Sequence, residues 1–315
     1  MTNGNPHKML LLAGWITLIL LTVVPTVSPA VVTGNYMYNL SNFYGTVGYD
    51  WCRPYFDPKT GEIFVAEGGR VQIFNPAGMQ IYTFSEGELG TVQDVSTDSD
   101  GNILTLSWSY PDYFIGKCDY RGELLRKVRP TGVPDDFSDF SPSRMIHRNG
   151  EIYLVDRTRL RVAVVDRDGV FQRGYDLASP MQVKDKDRPD NDIFGFSLDG
   201  EGNMLFTVPA QARAYRLTTE GKIDSFGRRG SGPGKFGVPS GIAADGKGNL
   251  LVADTLRCVV LIFDKDFQFQ SEFGFRGLAP GKLIGPKELE SDGGNRVFVT
   301  QMRKRGISVF NILEN

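Results

Sequence analysis

The chain has 315 residues and a formal net charge of −2, so neither a nucleic acid nor an acidic polymer is an expected partner. That length suits one large domain, and a hydrophobic share of 41% supplies an ordinary globular core. Histidine is confined to His7 and His147, which excludes a zinc site built on histidines.

The first element is the apolar run Met9–Val24, preceded by Lys8 and ended by Pro25. Ser28-Pro29-Ala30 follows at the spacing that signal peptidase reads. Residues 1–30 are therefore expected to be a secretory signal peptide or, if uncleaved, a single membrane anchor. The run is about 16 residues, short of the ~20 of a spanning helix. Either way residues 31–315 are expected outside the cytoplasm, periplasmic or secreted, touching a membrane only through residues 9–24.

Beyond the leader, polar turns alternate with apolar runs of strand length. The turns are Pro58–Glu62, Asp98–Asn102, Arg148–Glu151, Asp199–Asn203, Asp245–Asn249 and Asp292–Asn295. Each is followed at once by a run such as Ile63-Phe64-Val65-Ala66, Ile152-Tyr153-Leu154-Val155 or Leu250-Leu251-Val252-Ala253. Asp, Asn and Gly tolerate the positive φ that tight hairpins need. A period of roughly 40–50 residues in such units marks four-stranded propeller blades. The prediction is an all-β fold, a six-bladed β-propeller over residues 31–315. Asn35–Phe43 reads as an extra strand before the first blade, and the last blade stops at a third strand, Ile307–Leu313. The amino-terminal strand is expected to complete that blade and remove the open edge. Two polar stretches, Pro134–Asp139 and Lys184–Asp192, read as solvated connectors.

The repeat is clearest over Phe226–Phe275. It holds Phe226-Gly227 with Gly230 and Gly232-Pro233-Gly234-Lys235, then Pro239-Ser240-Gly241-Ile242-Ala243-Ala244-Asp245, Gly248-Asn249-Leu250-Leu251-Val252-Ala253-Asp254 and Val259–Asp264. On these segments the chain resembles the NHL-repeat family of β-propellers. The match is weaker around Ile63–Phe74 and Ile152–Val165, and poor in the second and fourth units. The resemblance implies an exported or membrane-anchored propeller. The family spans binding modules, RNA-binding domains and a lyase branch, so it implies fold more firmly than activity.

Several segments invite a chemical reading. Gly227–Lys235 looks like a phosphate-cradling loop, but no helix start follows, and its copy at Gly274–Lys282 makes it a blade connector. Asp98-Ser99-Asp100-Gly101-Asn102 lacks the length and distal Glu of an EF-hand loop, so no metal and no cofactor is expected. Cys52 and Cys118 could pair in an oxidising compartment or stay buried and unpaired. Cys258 reads as a core thiol. His147, beside Arg148 and Asn149, reads as a surface histidine.

An acid-x-x-Arg pattern recurs after the second strands: Glu67 with Arg70, Asp156 with Arg159, and Asp254 with Arg257. Each pair can staple its own turn. These loops share one face of a propeller, where Arg157, Arg213, Arg303, Lys304 and Arg305 would join them. The second blade carries Trp108 and Tyr110 there instead, aromatics suited to a protein contact. The expected function is a non-catalytic interaction module that binds an envelope or extracellular protein on that face. The alternative is a metal-dependent hydrolase or lactonase with carboxylates at the central channel, Glu67, Asp156 and Asp254 being the recurring acids. RNA binding is disfavoured by export and neutral charge.

Overall fold

The computed structural model describes Met1 and residues 32–314 apart from Asp50 and Glu86. The apolar run Met9–Val24 lies outside the described residues. Among the described ones, no helix is long and apolar enough to cross a membrane.

Six four-stranded antiparallel sheets form the blades. Their innermost strands are Arg53–Phe56, Thr91–Thr97, Arg144–Arg148, Phe196–Leu198, Pro239–Ala244 and Pro286–Ser291, which number blades 1 to 6. In blades 1 to 5 three further strands follow in chain order, moving outward. Blade 6 differs: its outermost strand is Val32–Asn39, paired with Ile307–Glu314 in a register from Val32 opposite Glu314 to Asn39 opposite Ser308. The predicted closure is the one observed. An open edge strand would otherwise present unpaired amides to solvent.

The second strands read as unbroken apolar runs because both of their faces are buried. In Glu151–Asp156, Tyr153 and Val155 pack with blade 4 residues Phe196, Met204 and Phe206. Ile152 and Leu154 pack with blade 2 residues Leu104, Leu106 and Ile115 on the other side. The core is thus a set of wedges between neighbouring blades rather than one central mass. Except in blade 3, the inner hairpins open on an aspartate that caps them. Asp245 accepts the N–H groups of Lys247 and Asn249 through Oδ1 and the Asn249 amide through Oδ2. Gly248 takes the left-handed φ of 86° that closes this turn.

Two details depart from expectation or decide an open choice. The connector Pro134–Asp139 is not purely solvated: a short 3₁₀ turn at Asp135–Phe137 drops Phe137 into the wedge between blades 2 and 3. A single aromatic among acids hides in a polar composition. Cys52, Cys118 and Cys258 are free and buried. Cys52 lies in the wedge between blades 6 and 1, and Cys118 in the wedge between blades 1 and 2.

Candidate active site

All six inner strands run the same way, so the channel has two distinct ends. One carries the turns between first and second strands and is the turn end. The other carries the loops between second and third strands and is the loop end. Inner strands have one edge facing the channel, whose amides and carbonyls need partners. Side chains of other blades supply them. Asp94 Oδ2 accepts the Met145 N–H at 2.9 Å, Arg53 donates to Ser143 O, and Ser240 Oγ donates to Pro286 O at 3.0 Å.

Counting four residues back from the start of each turn, the blades present Arg53, Asp94, Arg144, Gly195, Gly241 and Glu288 in order. The four charged residues form a dry plug, with Arg53 only 2% exposed and Glu288 1%. Arg144 Nη1 lies 2.7 Å from Glu288 Oε2, and Arg53 lies 3.5 Å from Asp94 and 3.9 Å from Glu288. Burial opposes the charge on Glu288, but Arg144 and Arg53 outweigh it and hold its carboxyl below the ordinary value. The glycines on blades 4 and 5 are required sterically: a Cβ on Gly195 would sit 2.4 Å from Ser240 O, and one on Gly241 2.5 Å from Leu289 N.

Above this plug, towards the turn end, a cavity of about 700 Å³ opens. Its walls include Tyr55, Arg144, His147, Ser197, Ala243 and Glu290. Small residues on blades 4 and 5 make the room. Glu290 comes from blade 6, two positions after Glu288 and on the same strand face. Its Oε1 accepts the Phe56 N–H at 3.2 Å. Burial pushes its pKa up to about 8, assisted by Asp94 and Glu288 and resisted by Phe56 N–H and Arg144. The group is therefore a protonated acid at neutral pH. The Ser197 hydroxyl is buried and has no hydrogen-bond partner. His147 is half-buried on the cavity wall rather than a surface histidine. Burial lowers its pKa against the Thr97 backbone and Asp98, so it is neutral at pH 7.

The residues singled out from sequence lie at the loop end. Trp108 is 38% exposed and Tyr110 90%. Arg157 stacks on Phe194, 4.8 Å from the ring centroid, and its Nε donates to Ile193 O. Arg213 donates to Ser225 Oγ at 3.3 Å, and Arg305 donates to Leu278 O at 2.7 Å. Arg303 and Lys304 adopt left-handed φ values of 58° and 54° in the loop of blade 6. None of these seven lines the cavity.

The recurring acids serve their own loops. Asp254 accepts four backbone N–H groups, from Gly237, Val238, Leu256 and Arg257. The Arg257 guanidinium turns instead to Glu272, at 2.6 and 2.7 Å. Asp156 accepts the Ser141 and Arg159 N–H groups and lies 3.4 Å from the Arg159 guanidinium. Glu67 and Arg70 face each other across the strand pair but form no ion pair.

A divalent cation does not fit these donors. Asp156 and Asp254 are occupied by amides, and Asp94 and Glu288 by guanidinium groups. Among the described residues no three His, Cys, Asp or Glu side chains come together as a metal-ligating group.

No protein-family model matches the chain, and no curated protein matches it by sequence. Solved structures do match in fold. A gluconolactonase from Xanthomonas campestris aligns with TM-score 0.58 and 16% identity, over 92% of this chain and 99% of that one. The calcium-binding protein regucalcin from Agrobacterium tumefaciens aligns with TM-score 0.57 and 14% identity, over 87% and 95%. Virginiamycin B lyase from Staphylococcus aureus aligns with TM-score 0.55 and 15% identity, over 90% and 88%. The chain is thus a six-bladed propeller with structural neighbours among the gluconolactonase, regucalcin and virginiamycin B lyase propellers.

That company corrects the expected function. Enzymes stand among the neighbours, so the non-catalytic interaction module, and with it the expectation of no enzymatic activity, gives way to the enzymatic alternative. The cavity points the same way, since it lies at the turn end and not among the exposed arginines and aromatics. Arg53, Asp94, Arg144, Glu288 and Glu290 were missed by the sequence reading. A signal existed: aligning the inner strands on their turns puts a charged residue at the same position in four of the six blades, Arg53, Asp94, Arg144 and Glu288.

Proposed function

We propose that this propeller is an enzyme of the hydrolase or lactonase type, acting by proton transfer on a small oxygen-rich ester in the turn-end cavity. The observation that carries the reading is Glu290, a carboxylic acid that keeps its proton at neutral pH on the wall of that cavity. Opening a cyclic ester needs a proton on the departing oxygen, and a carboxyl titrating near the working pH is well placed to give it. Water adds to the acyl carbon, Glu290 protonates the leaving alkoxide, and the proton released by the water restores the acid. No step is routed through a metal, because the carboxylates do not fit one.

Export of residues 31–315 is part of this reading, supported by the run Met9–Val24 and Ser28-Pro29-Ala30. An NHL-type repeat in blade 5 is supported by Phe226–Phe275.

The test is hydrolysis of D-glucono-1,5-lactone by the full chain, with and without a chelator. Glu290→Gln should lower turnover by about 10²–10⁴-fold, and the chelator should change nothing. A Glu290→Gln protein that works like the parent would refute the assignment.

A further inference from the structure

The residues that open the six inner turns are Asp57, Asp98, Arg148, Asp199, Asp245 and Asp292. Around the cavity, Asp199, Asp245 and Asp292 each commit both oxygens to donors of their own hairpin. Blade 3 departs from the row. Its turn is shortened to Asn149-Gly150, both at positive φ, 52° and 81°, so that Arg148 pairs directly with Glu151. Such a turn needs no capping carboxylate, and an arginine stands in its place.

The Arg148 guanidinium reaches across to blade 4 and donates to the backbone carbonyls of Asp199 and Gly200. Among the described residues no carboxylate pairs with it. Carbonyl oxygens orient a guanidinium without neutralising it. Three other cations that line the cavity are matched: Arg144 lies 2.7 Å from Glu288, Lys247 2.7 Å from Glu314, and Arg216 3.7 Å from Asp224. Lys265, also on the wall, has no side-chain partner. The cavity therefore holds a neutral acid in its wall, and towards its mouth Arg148 and Lys265 are cations without a carboxylate partner, beside Asp199, Glu201 and Asp245, whose carboxylates accept hairpin amides.

We infer that Arg148, oriented by the two blade 4 carbonyls, is the anion-recognition group of the cavity, and that the ligand carries a carboxylate or a phosphate. A planar guanidinium held in one orientation suits either oxyanion. The proposal rests on the enzymatic reading of the same cavity.

Calorimetric titration of the full chain at pH 7 tests it, using D-gluconate, D-glucose 6-phosphate and uncharged D-glucose as probes. At least one anion should bind more tightly than glucose, which also tells carboxylate from phosphate. Added salt should weaken that binding, and Arg148→Gln should raise its Kd by about tenfold, roughly 1.4 kcal/mol. Arg148→Lys should recover part of the loss, which guards against a merely misfolded turn. Lys265→Gln should have a smaller effect. Glucose binding as tightly as both anions, neither anion binding, or Arg148→Gln binding like the parent would each overturn the proposal. Arg148-dependent binding without lactone turnover would instead sink the enzymatic reading and leave the anion site standing.

Discussion

The two ends of the channel are made from the same hairpin repeat, yet the cavity of about 700 Å³ opens at the turn end. At the loop end, cations are stacked on a ring: Arg157 and Lys287 lie 4.8 and 5.6 Å from the Phe194 centroid. At the turn end the hairpins are short and, except in blade 3, capped by their own aspartates, and Ser197 and Ala243 leave space beside Glu290. Between the two lies a plug of paired charge. Exposed arginines and aromatics are thus poor guides to the site here. The informative groups are acids and guanidinium groups whose neighbours, rather than solvent, decide their protonation.

The sharpest way to break this comparison is to break the plug. Glu288→Leu leaves Arg144 and Arg53 buried with half their counter-charge, and removing one partner of such a pair costs about 3–5 kcal/mol. Urea denaturation should show that loss, whereas Arg303→Ala at the loop end should stay within about 0.5 kcal/mol. Equal effects would mean that the plug does not hold the ring together.

The next test is pH. Glu290 titrates at about 8 in the fold against an ordinary 4.5. Between those values the folded protein holds a proton that the unfolded chain has released, so stability must fall as pH rises. The stability difference between parent and Glu290→Gln should decline from about pH 4.5 to about pH 8 and level off above. Lactone turnover should fall away above about pH 8 as the acid is lost. A flat difference would place the Glu290 pKa near the ordinary value and remove the proton donor.

The smallest effect is expected at the loop end itself. Trp108→Ala and Tyr110→Ala should leave turnover unchanged and shift stability by no more than about 0.5 kcal/mol, as surface substitutions do. A loss of turnover in either would show that the two ends are coupled through the plug.

Much of the fold was legible because its cause is local. A hairpin aspartate and a left-handed glycine act over five residues, and a strand buried on both faces announces itself as an apolar run. The missing outer strand of blade 6 followed from the unpaired edge that would otherwise remain. The site was not legible in the same way. Arg53, Asp94, Arg144 and Glu288 lie far apart along the chain, and each alone looks like a charged residue in a strand. Asp156 and Asp254 had the better pattern and proved to be bound by backbone amides.

The sequence by itself determined the all-β ring, its period and the way its ends meet, since turn chemistry and two-faced burial are properties of short segments. Tertiary structure alone decided that six inner strands converge on one axis, that four of their charges neutralise one another there, and that Glu290 keeps its proton. Those outcomes depend on distance and desolvation between residues of different blades, which closure of the ring brings together.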